Sequence, residues 1–173
     1  MAVYVALLRA VNVGGVSLPM AELKAICEAL GFTDVATYIQ SGNVLFRADA
    51  AEAAVARRLD EALGQRLGKA PGVMIRGATE LRAIADNAPF PHAPPNYLLV
   101  HFFGEPPPAD TLAAMVAPGG EEARLSGREI YVHYPDGSGR SKLKLPALKS
   151  GTSRNLNTVR KLADLAAAME AGG

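Results

Sequence analysis

The sequence predicts an α+β fold of two lobes, and three observations lead to this expectation. Short apolar segments typical of strands alternate with longer segments whose apolar residues recur at helical spacing. The same order of elements begins twice along the chain. Between the two copies, residues 87–96 contain four prolines, which indicates a connector rather than a helix or strand. We therefore divide the chain into an N-terminal lobe over residues 1–86, the connector, and a C-terminal lobe over residues 97–173.

The N-terminal lobe is predicted to form one antiparallel sheet with two helices on one face. Its first six elements follow the order β-α-β-β-α-β, which is that of a split βαβ, or ferredoxin-like, unit. The predicted elements are a strand over 2–8, a helix from Pro19 (with Ser17 as a possible cap) to Gly31, strands over 35–39 and 43–46, a helix over 50–67, a strand over 73–76 and a helix over 79–85.

The C-terminal lobe repeats this order only in part. We expect strands over 97–103, 123–126 and 129–134, and a short helix over 109–116. A basic loop then leads to a final helix from about 155 to 170, whose buried stripe is formed by Leu156, Val159, Leu162, Leu165, Ala166 and Met169. The repeat exists in the order of elements and not in residue identities.

Composition excludes several functional classes. The 173 residues are 49% hydrophobic and 20% charged, as is usual for a soluble globular protein. No apolar run is long enough to span a bilayer, and the apolar start has no basic region before it, so we expect a cytoplasmic protein without a membrane partner. The single cysteine, Cys27, excludes an intramolecular disulfide and thiolate-rich metal sites, and we expect no cofactor.

The charge of the chain is concentrated in one segment. The formal net charge is +1, but residues 1–139 carry 11 basic and 15 acidic side chains. From Arg140 to Lys161 there are seven lysines or arginines and no acidic residue. A phosphate or another polyanion is the simplest partner for such a segment.

Four polar blocks are candidate anion-binding sites. The first follows the first strand, where a glycine-rich turn can present backbone N–H groups to an anion, although a plain tight turn explains it equally well. The second is the first hairpin, whose Gln-Ser-Gly-Asn sequence is also good turn chemistry. The third is the basic loop, and the fourth is the start of the final helix, where Thr152 or Ser153 could cap the helix and leave N–H groups for an anion. The predicted binding residues are Arg9, Asn12, Gly14, Gly15, Ser41, Asn43, Arg140, Lys142, Arg154, Asn155 and Asn157.

Other reactive residue types give weaker signals. His92, His101 and His133 are far apart in the sequence, and no two have the spacing of metal ligands, so no metal site is predicted. Cys27 lies on the apolar stripe of the first helix, which favours packing over nucleophilic chemistry. No catalytic residue is predicted, and whether the protein is an enzyme stays open.

Four sequence blocks together resemble a bacterial family known as domain of unknown function 1697. They are LLRAVNVGG at 7–15, TYIQSGNV at 37–44, YPDGSGRSKL at 134–143 and GTSRNLNTVRKL at 151–162. The resemblance implies an α+β fold of two ferredoxin-like lobes in tandem, with no known activity and no catalytic residues. Similar proteins commonly have tryptophan where this chain has Leu156, and the position of Leu156 on the apolar stripe favours a packing role.

Three functional hypotheses follow from these features. The first is a protein that binds a phosphorylated or otherwise anionic small molecule, such as a nucleotide, between its lobes. The second is a nucleic-acid-binding module that uses residues 140–161, although the strands lack the exposed aromatic cluster of an RNA-recognition motif. The third is a protein–protein interaction module whose basic segment meets an acidic partner.

Overall fold

The chain folds into two compact units. The computed structural model describes residues 1–12, 15–39 and 42–172. The first unit comprises Met1–Arg82 and Leu162–Gly173, and the second comprises Ala83–Lys161. The predicted division placed all of 97–173 in the second lobe, whereas the end of the final helix groups with the first unit.

Polar contacts tie that helix end to the first unit. The Arg47 guanidinium donates a hydrogen bond to the Met169 carbonyl, and Arg82 forms an ion pair with Asp164 at 2.5 Å. These contacts join residues more than 80 positions apart in the chain. Sequence order therefore could not assign the helix end to a unit.

The first unit contains a four-stranded antiparallel sheet with the strand order β2-β3-β1-β4. The last strand lies beside the first, as a split βαβ unit requires. Its elements are β1 (Ala2–Leu8), α1 (Met20–Ala29), β2 (Thr33–Thr37), β3 (Asn43–Ala48), α2 (Glu52–Leu67) and β4 (Val73–Gly77), followed by α3 (Ala78–Asp86), which extends past the end of the unit.

One core forms between this sheet and helices α1 and α2. Side chains in a strand alternate between the two faces of the sheet, so every second residue of β1 enters this core. The helices contribute residues spaced three or four apart, as an amphipathic helix does. Members of the core include Tyr4, Ala6, Leu8, Leu23, Cys27, Val55, Leu59 and Leu63.

The ends of the helices follow from local chemistry. Helix α2 ends at Leu67, and the next residue, Gly68, adopts the left-handed conformation with φ 84° and donates its N–H to the Gly64 carbonyl. Helix α1 begins after Pro19 without a side-chain cap, so the predicted cap at Ser17 does not form. Pro19 has no N–H, so it fits the start of a helix, where N–H groups lack intrahelical partners.

The second unit repeats the topology of the first. Its sheet has the order β6-β7-β5-β8, so the strands occupy the same places in chain order as those of the first sheet, and all pairs are antiparallel. The tandem ferredoxin-like architecture is therefore confirmed. The elements are β5 (Leu98–Phe102), β6 (Glu122–Ser126), β7 (Glu129–His133), β8 (Thr152–Asn155) and α4 (Leu156–Ala171).

Two predicted elements differ from the structure. The helix expected over 109–116 is only a 3₁₀ turn at Thr111–Ala114. Prolines before and after this stretch leave too few residues for a stable α-helix. Thr152–Asn155, which was expected to lead into the final helix, is strand β8 and pairs with β5. In the described part of the chain, no helix is long and apolar enough to cross a membrane.

Candidate functional site: a lysine-lined cavity in the second unit

The second unit contains a cavity of about 590 Å³ beside the basic loop. Binding sites for small molecules typically have volumes of about 300–1,000 Å³. The chain between β7 and β8 supplies the walls of this cavity. The residues that line it are Tyr134, Ser138, Ser141, Leu143, Lys144, Leu145, Pro146, Leu148 and Lys149.

Backbone hydrogen bonds fix the loop that forms the cavity. Lys144 and Val116 exchange two backbone hydrogen bonds, with N–O distances of 2.8 and 2.9 Å, so Lys144 is held in a short antiparallel bridge. Tyr134 donates its N–H to the Tyr97 carbonyl at 2.9 Å. Leu145 and Tyr134 also belong to the apolar core of this unit. The base of the cavity is therefore anchored, although the loop has no long helix or strand.

Two lysines give the cavity its positive charge. Lys144 and Lys149 are both exposed and line it, and Ser138 adds a hydroxyl group. None of its described lining residues carries a carboxylate. The arrangement can offer two ammonium groups and a hydroxyl to an anion above an apolar wall.

One buried carboxylate lies next to this cavity. Glu121 accepts hydrogen bonds from the Ser141 hydroxyl and the Gly119 N–H, both at 2.9 Å. Burial would raise the pKa of Glu121, but hydrogen bonds from its own backbone N–H, Ser141 and Gly119 lower the pKa overall, so the group is ionised at neutral pH. Because the Ser141 hydroxyl donates its proton to Glu121, it does not offer this proton to an anion in the cavity. The groups that could attract an anion are on the side of the cavity where the lysines lie.

Tyr134 supplies a phenol that stays protonated. Burial, followed by the nearby charge of Glu121, raises the pKa of Tyr134 to about 12. Its hydroxyl lies 3.2 Å from Nε2 of His101. Tyr134 therefore lines the cavity as a neutral aromatic group at physiological pH.

Arg154, which the sequence analysis placed at a ligand, is buried in strand β8. It is 7% exposed, and its Nη1 donates hydrogen bonds to Thr152 Oγ1 at 2.7 Å and to the Ser153 carbonyl at 2.8 Å. Desolvation lowers the pKa of its guanidinium to about 10, which still leaves it charged at neutral pH. Arg154 is not among the lining residues of the cavity.

Asn155 caps the final helix. Its Oδ1 accepts a hydrogen bond from the Thr158 N–H at 2.9 Å, the contact typical of an N-cap residue. The expectation that Thr152 or Ser153 caps the helix is wrong, because both lie within strand β8.

Three further predicted residues lie on the surface of the second unit. Asn157, Arg140 and Lys142 are exposed, and none of the three lines the cavity. Leu156 is only 3% exposed, in agreement with a packing role.

The block after the first strand is held together by its own contacts. Asn12 donates through Nδ2 to the Leu18 carbonyl at 3.0 Å and accepts the Leu18 N–H through Oδ1 at 2.8 Å. Gly15 has a φ of 86°, which suits a turn. Arg9 lines a separate cavity of about 300 Å³ in the first unit, together with Lys69. Gly14 lies outside the described residues.

The first hairpin is also closed by internal contacts. Asn43 has no exposed surface, and its Nδ2 donates to the Tyr38 carbonyl at 2.9 Å. The Tyr38 N–H donates in turn to the Asn43 carbonyl at 3.0 Å. The polar side chain of Asn43 therefore stabilises the turn, and Ser41 lies outside the described residues.

The lysines that line the cavity are not among the predicted binding residues. Lys144 and Lys149 belong to the basic segment, but the residues predicted to bind a ligand there are Arg140 and Lys142. The density of cations indicated the segment in which the cavity lies. Only the folded loop shows which of them border a concave surface.

Comparison with known proteins identifies the family. The family described as "Protein of unknown function (DUF1697)" matches residues 1–131. The chain belongs to this family. The match covers the first two sequence blocks of the resemblance, whereas the cavity begins at Tyr134, beyond the matched residues.

The fold of this DUF1697 member also occurs in a solved structure. It is similar to the conserved bacterial protein SP0830 from Streptococcus pneumoniae, with a TM-score of 0.79 and 22% sequence identity. The alignment covers 96% of this chain and 98% of that chain. At this identity the likeness shows the fold alone. No curated protein matches the chain.

Proposed function

We propose that this protein binds a phosphorylated small molecule, such as a nucleotide, in the cavity of the second unit. The observation that carries the proposal is a cavity of about 590 Å³ with Lys144 and Lys149 on its lining. Ammonium groups attract phosphate strongly, and a concave site surrounded by protein strengthens the attraction because it excludes part of the solvent.

The walls of the cavity suit a ligand with one charged and one apolar part. Phosphate groups would lie between the two lysines and the Ser138 hydroxyl. The remainder would contact Tyr134 and the leucines, which offer aromatic and aliphatic surface. The ionised Glu121 lies behind Ser141 and would repel a phosphate there, so it fixes the orientation of the ligand.

A calorimetric titration with a matched control variant tests this proposal. Inorganic phosphate, pyrophosphate and ATP are titrated into the wild type, the double variant Lys144→Ala/Lys149→Ala and the single variant Lys142→Ala. We expect the double variant to weaken binding of the tightest probe at least about tenfold, which corresponds to about 1.4 kcal/mol. Lys142 is an exposed lysine of the same segment that does not line the cavity, so its variant should bind as the wild type does.

Two outcomes would count against a small-molecule site. If none of the three probes binds, the cavity is not a phosphate site. If Lys142→Ala weakens binding as much as the double variant does, the attraction belongs to the whole basic segment. A gel-shift series with a short oligonucleotide at several salt concentrations then tests the nucleic-acid hypothesis, since phosphate contacts make such binding steeply salt-dependent.

A further inference from the structure

Two histidines and a glutamate meet at one edge of the second sheet. Nε2 of His92 lies 3.0 Å from Oε1 of Glu122, and Nδ1 of His133 lies 3.2 Å from the same oxygen. The planes of the two imidazole rings form an angle of 79°, and the ring centroids are 5.1 Å apart. The three donor atoms all lie within 4.8 Å of one another.

We propose that His92, Glu122 and His133 bind a divalent first-row transition metal ion such as Zn²⁺. Imidazole nitrogen and carboxylate oxygen are ligands that this class of ion prefers. Ligand atoms that are each about 2.0–2.1 Å from one metal lie roughly 2.9–3.4 Å apart for octahedral to tetrahedral angles. The two nitrogen–oxygen distances of 3.0 and 3.2 Å already fall in this range.

The sheet positions two of these ligands. Glu122 on β6 and His133 on β7 are directly paired across the two antiparallel strands. Side chains of such a pair project on the same side of the sheet, with Cβ atoms about 4.5–5.5 Å apart. His133 is 9% exposed, so its ring is restrained by its surroundings, whereas Glu122 is 47% exposed and can adjust to an ion.

The proline-rich connector supplies the third ligand through a tight turn. The Ala93 N–H donates to the Phe90 carbonyl at 2.9 Å, which closes a turn with Pro91 and His92 at its centre. Proline favours the second position of such a turn because its φ is already fixed near the required value. His92 is 58% exposed and can therefore reach an ion that enters from solvent.

An aromatic contact holds the turn against the sheet. The Phe90 ring lies 6.2 Å from the His92 ring and 6.4 Å from the His133 ring, and the Arg124 guanidinium lies 5.6 Å from the Phe90 centroid. Phe90 adopts a φ of 61°, which is costly for a bulky residue and is maintained only where the surroundings fix it. The turn and the strand pair thus hold the three side chains close together before a metal binds.

The hydrogen bonds of the three groups are compatible with a metal ion. Both histidine rings face Oε1 of the Glu122 carboxylate. Each histidine must carry a proton on the nitrogen that faces this carboxylate, because the carboxylate can only accept. Metal binding would move each proton to the other ring nitrogen or release it, and the nitrogen lone pair would then bind the ion. Three protein ligands leave at least one coordination position for water or another small ligand.

Sequence spacing could not reveal this cluster. The three residues are 30 and 11 positions apart in the chain, which matches no local metal-binding motif. The prediction of no metal site depended on that spacing. The pairing of β6 with β7 and the turn at Phe90 bring together residues that the sequence separates.

Calorimetry with Zn²⁺ on the full chain tests the proposal. The protein is first freed of metal with a chelator and then titrated with Zn²⁺, alongside the variants His92→Ala, Glu122→Gln and Glu105→Gln. We expect one Zn²⁺ per wild-type chain and at least about tenfold weaker binding in the first two variants. Glu105→Gln makes the same chemical change at another exposed glutamate of the second unit and should bind as the wild type does.

A second measurement on the wild type makes the test independent of variant folding. Zn²⁺ should shift the ring resonances of His92 and His133 in NMR spectra and leave those of His101 unchanged, since His101 lies apart from the cluster and is buried. Absence of Zn²⁺ binding to the wild type, or wild-type affinity in both His92→Ala and Glu122→Gln, would overturn the proposal. A Zn²⁺-induced shift of His101 alone would overturn it as well.

Discussion

Replacement of Asn155 by alanine should destabilise the protein by about 1 kcal/mol. The Asn155 side chain accepts a hydrogen bond from the Thr158 N–H at 2.9 Å, and Thr158 is the third residue of the 16-residue helix α4. Loss of an N-cap side chain typically costs about 0.5–2 kcal/mol because a helix N–H is left without its acceptor. For a chain of this length, 1 kcal/mol corresponds to a fall in Tm of roughly 2–4 °C.

Urea denaturation followed by circular dichroism measures this change against two matched variants. Asn155→Asp keeps an oxygen acceptor and adds a negative charge at the positive end of the helix dipole, so it should be at least as stable as the wild type. Asn157→Ala removes the same side chain from an exposed position two residues further on, and it should change stability by less than about 0.5 kcal/mol.

The comparison also separates capping from ligand binding. If Asn155 stabilises only the helix, Asn155→Ala lowers stability and leaves phosphate binding unchanged. The capping argument is refuted if Asn155→Ala is as stable as the wild type, or if Asn155→Asp loses as much stability as Asn155→Ala.

Two further predictions concern close packing and a buried histidine. A Cβ on Gly42 would lie 2.5 Å from Cγ2 of Val11, and Gly42 has a φ of 82°, so Gly42→Ala should cost about 2–4 kcal/mol in urea denaturation. Gly68→Ala, at φ 84° with open space around it, should cost only about 1 kcal/mol, and equal losses would show that the contact with Val11 is unimportant. Burial lowers the pKa of His101 to about 4 from its ordinary value of 6.5, so the unfolded chain binds the proton more tightly. The neutral, buried His101 therefore makes its full contribution to the free energy of unfolding above pH 6.5. This contribution falls by about 3 kcal/mol as the pH is lowered to about 4. His101→Gln should reduce this loss in acid denaturation, and an unchanged pH profile would contradict the assignment.

Much of the fold was predictable because its signals are local. The strand at Ala2–Leu8 has the predicted bounds, and helix α2 ends at the predicted residue, Leu67. The strand follows from its short run of apolar residues. The helix follows from the spacing of its apolar residues, and its end from the glycine after it. Strand β8 was missed because Thr152–Asn155 is short and polar, and pairing with β5 alone makes it a strand.

The candidate site was predictable only as a region. The basic segment indicated the loop after β7, which lines the cavity, but the predicted residues Arg154, Asn155 and Asn43 make internal contacts that a sequence does not display. Short polar side chains serve equally well as turn, cap or ligand contacts. Their neighbours in the folded chain decide which of these roles they have.

The sequence by itself determined most of the secondary structure, the tandem repeat of one topology and the family, because each depends on residues close together in the chain or on matched motifs. Tertiary structure decided which lysines border a cavity and which histidines share a carboxylate. It also decided that Arg154 is buried whereas Arg140 is exposed. Burial and hydrogen bonding depend on partners such as His92 and His133, which are distant in sequence and meet only when strands pair. Local pattern therefore specifies the elements, and their packing specifies the chemistry.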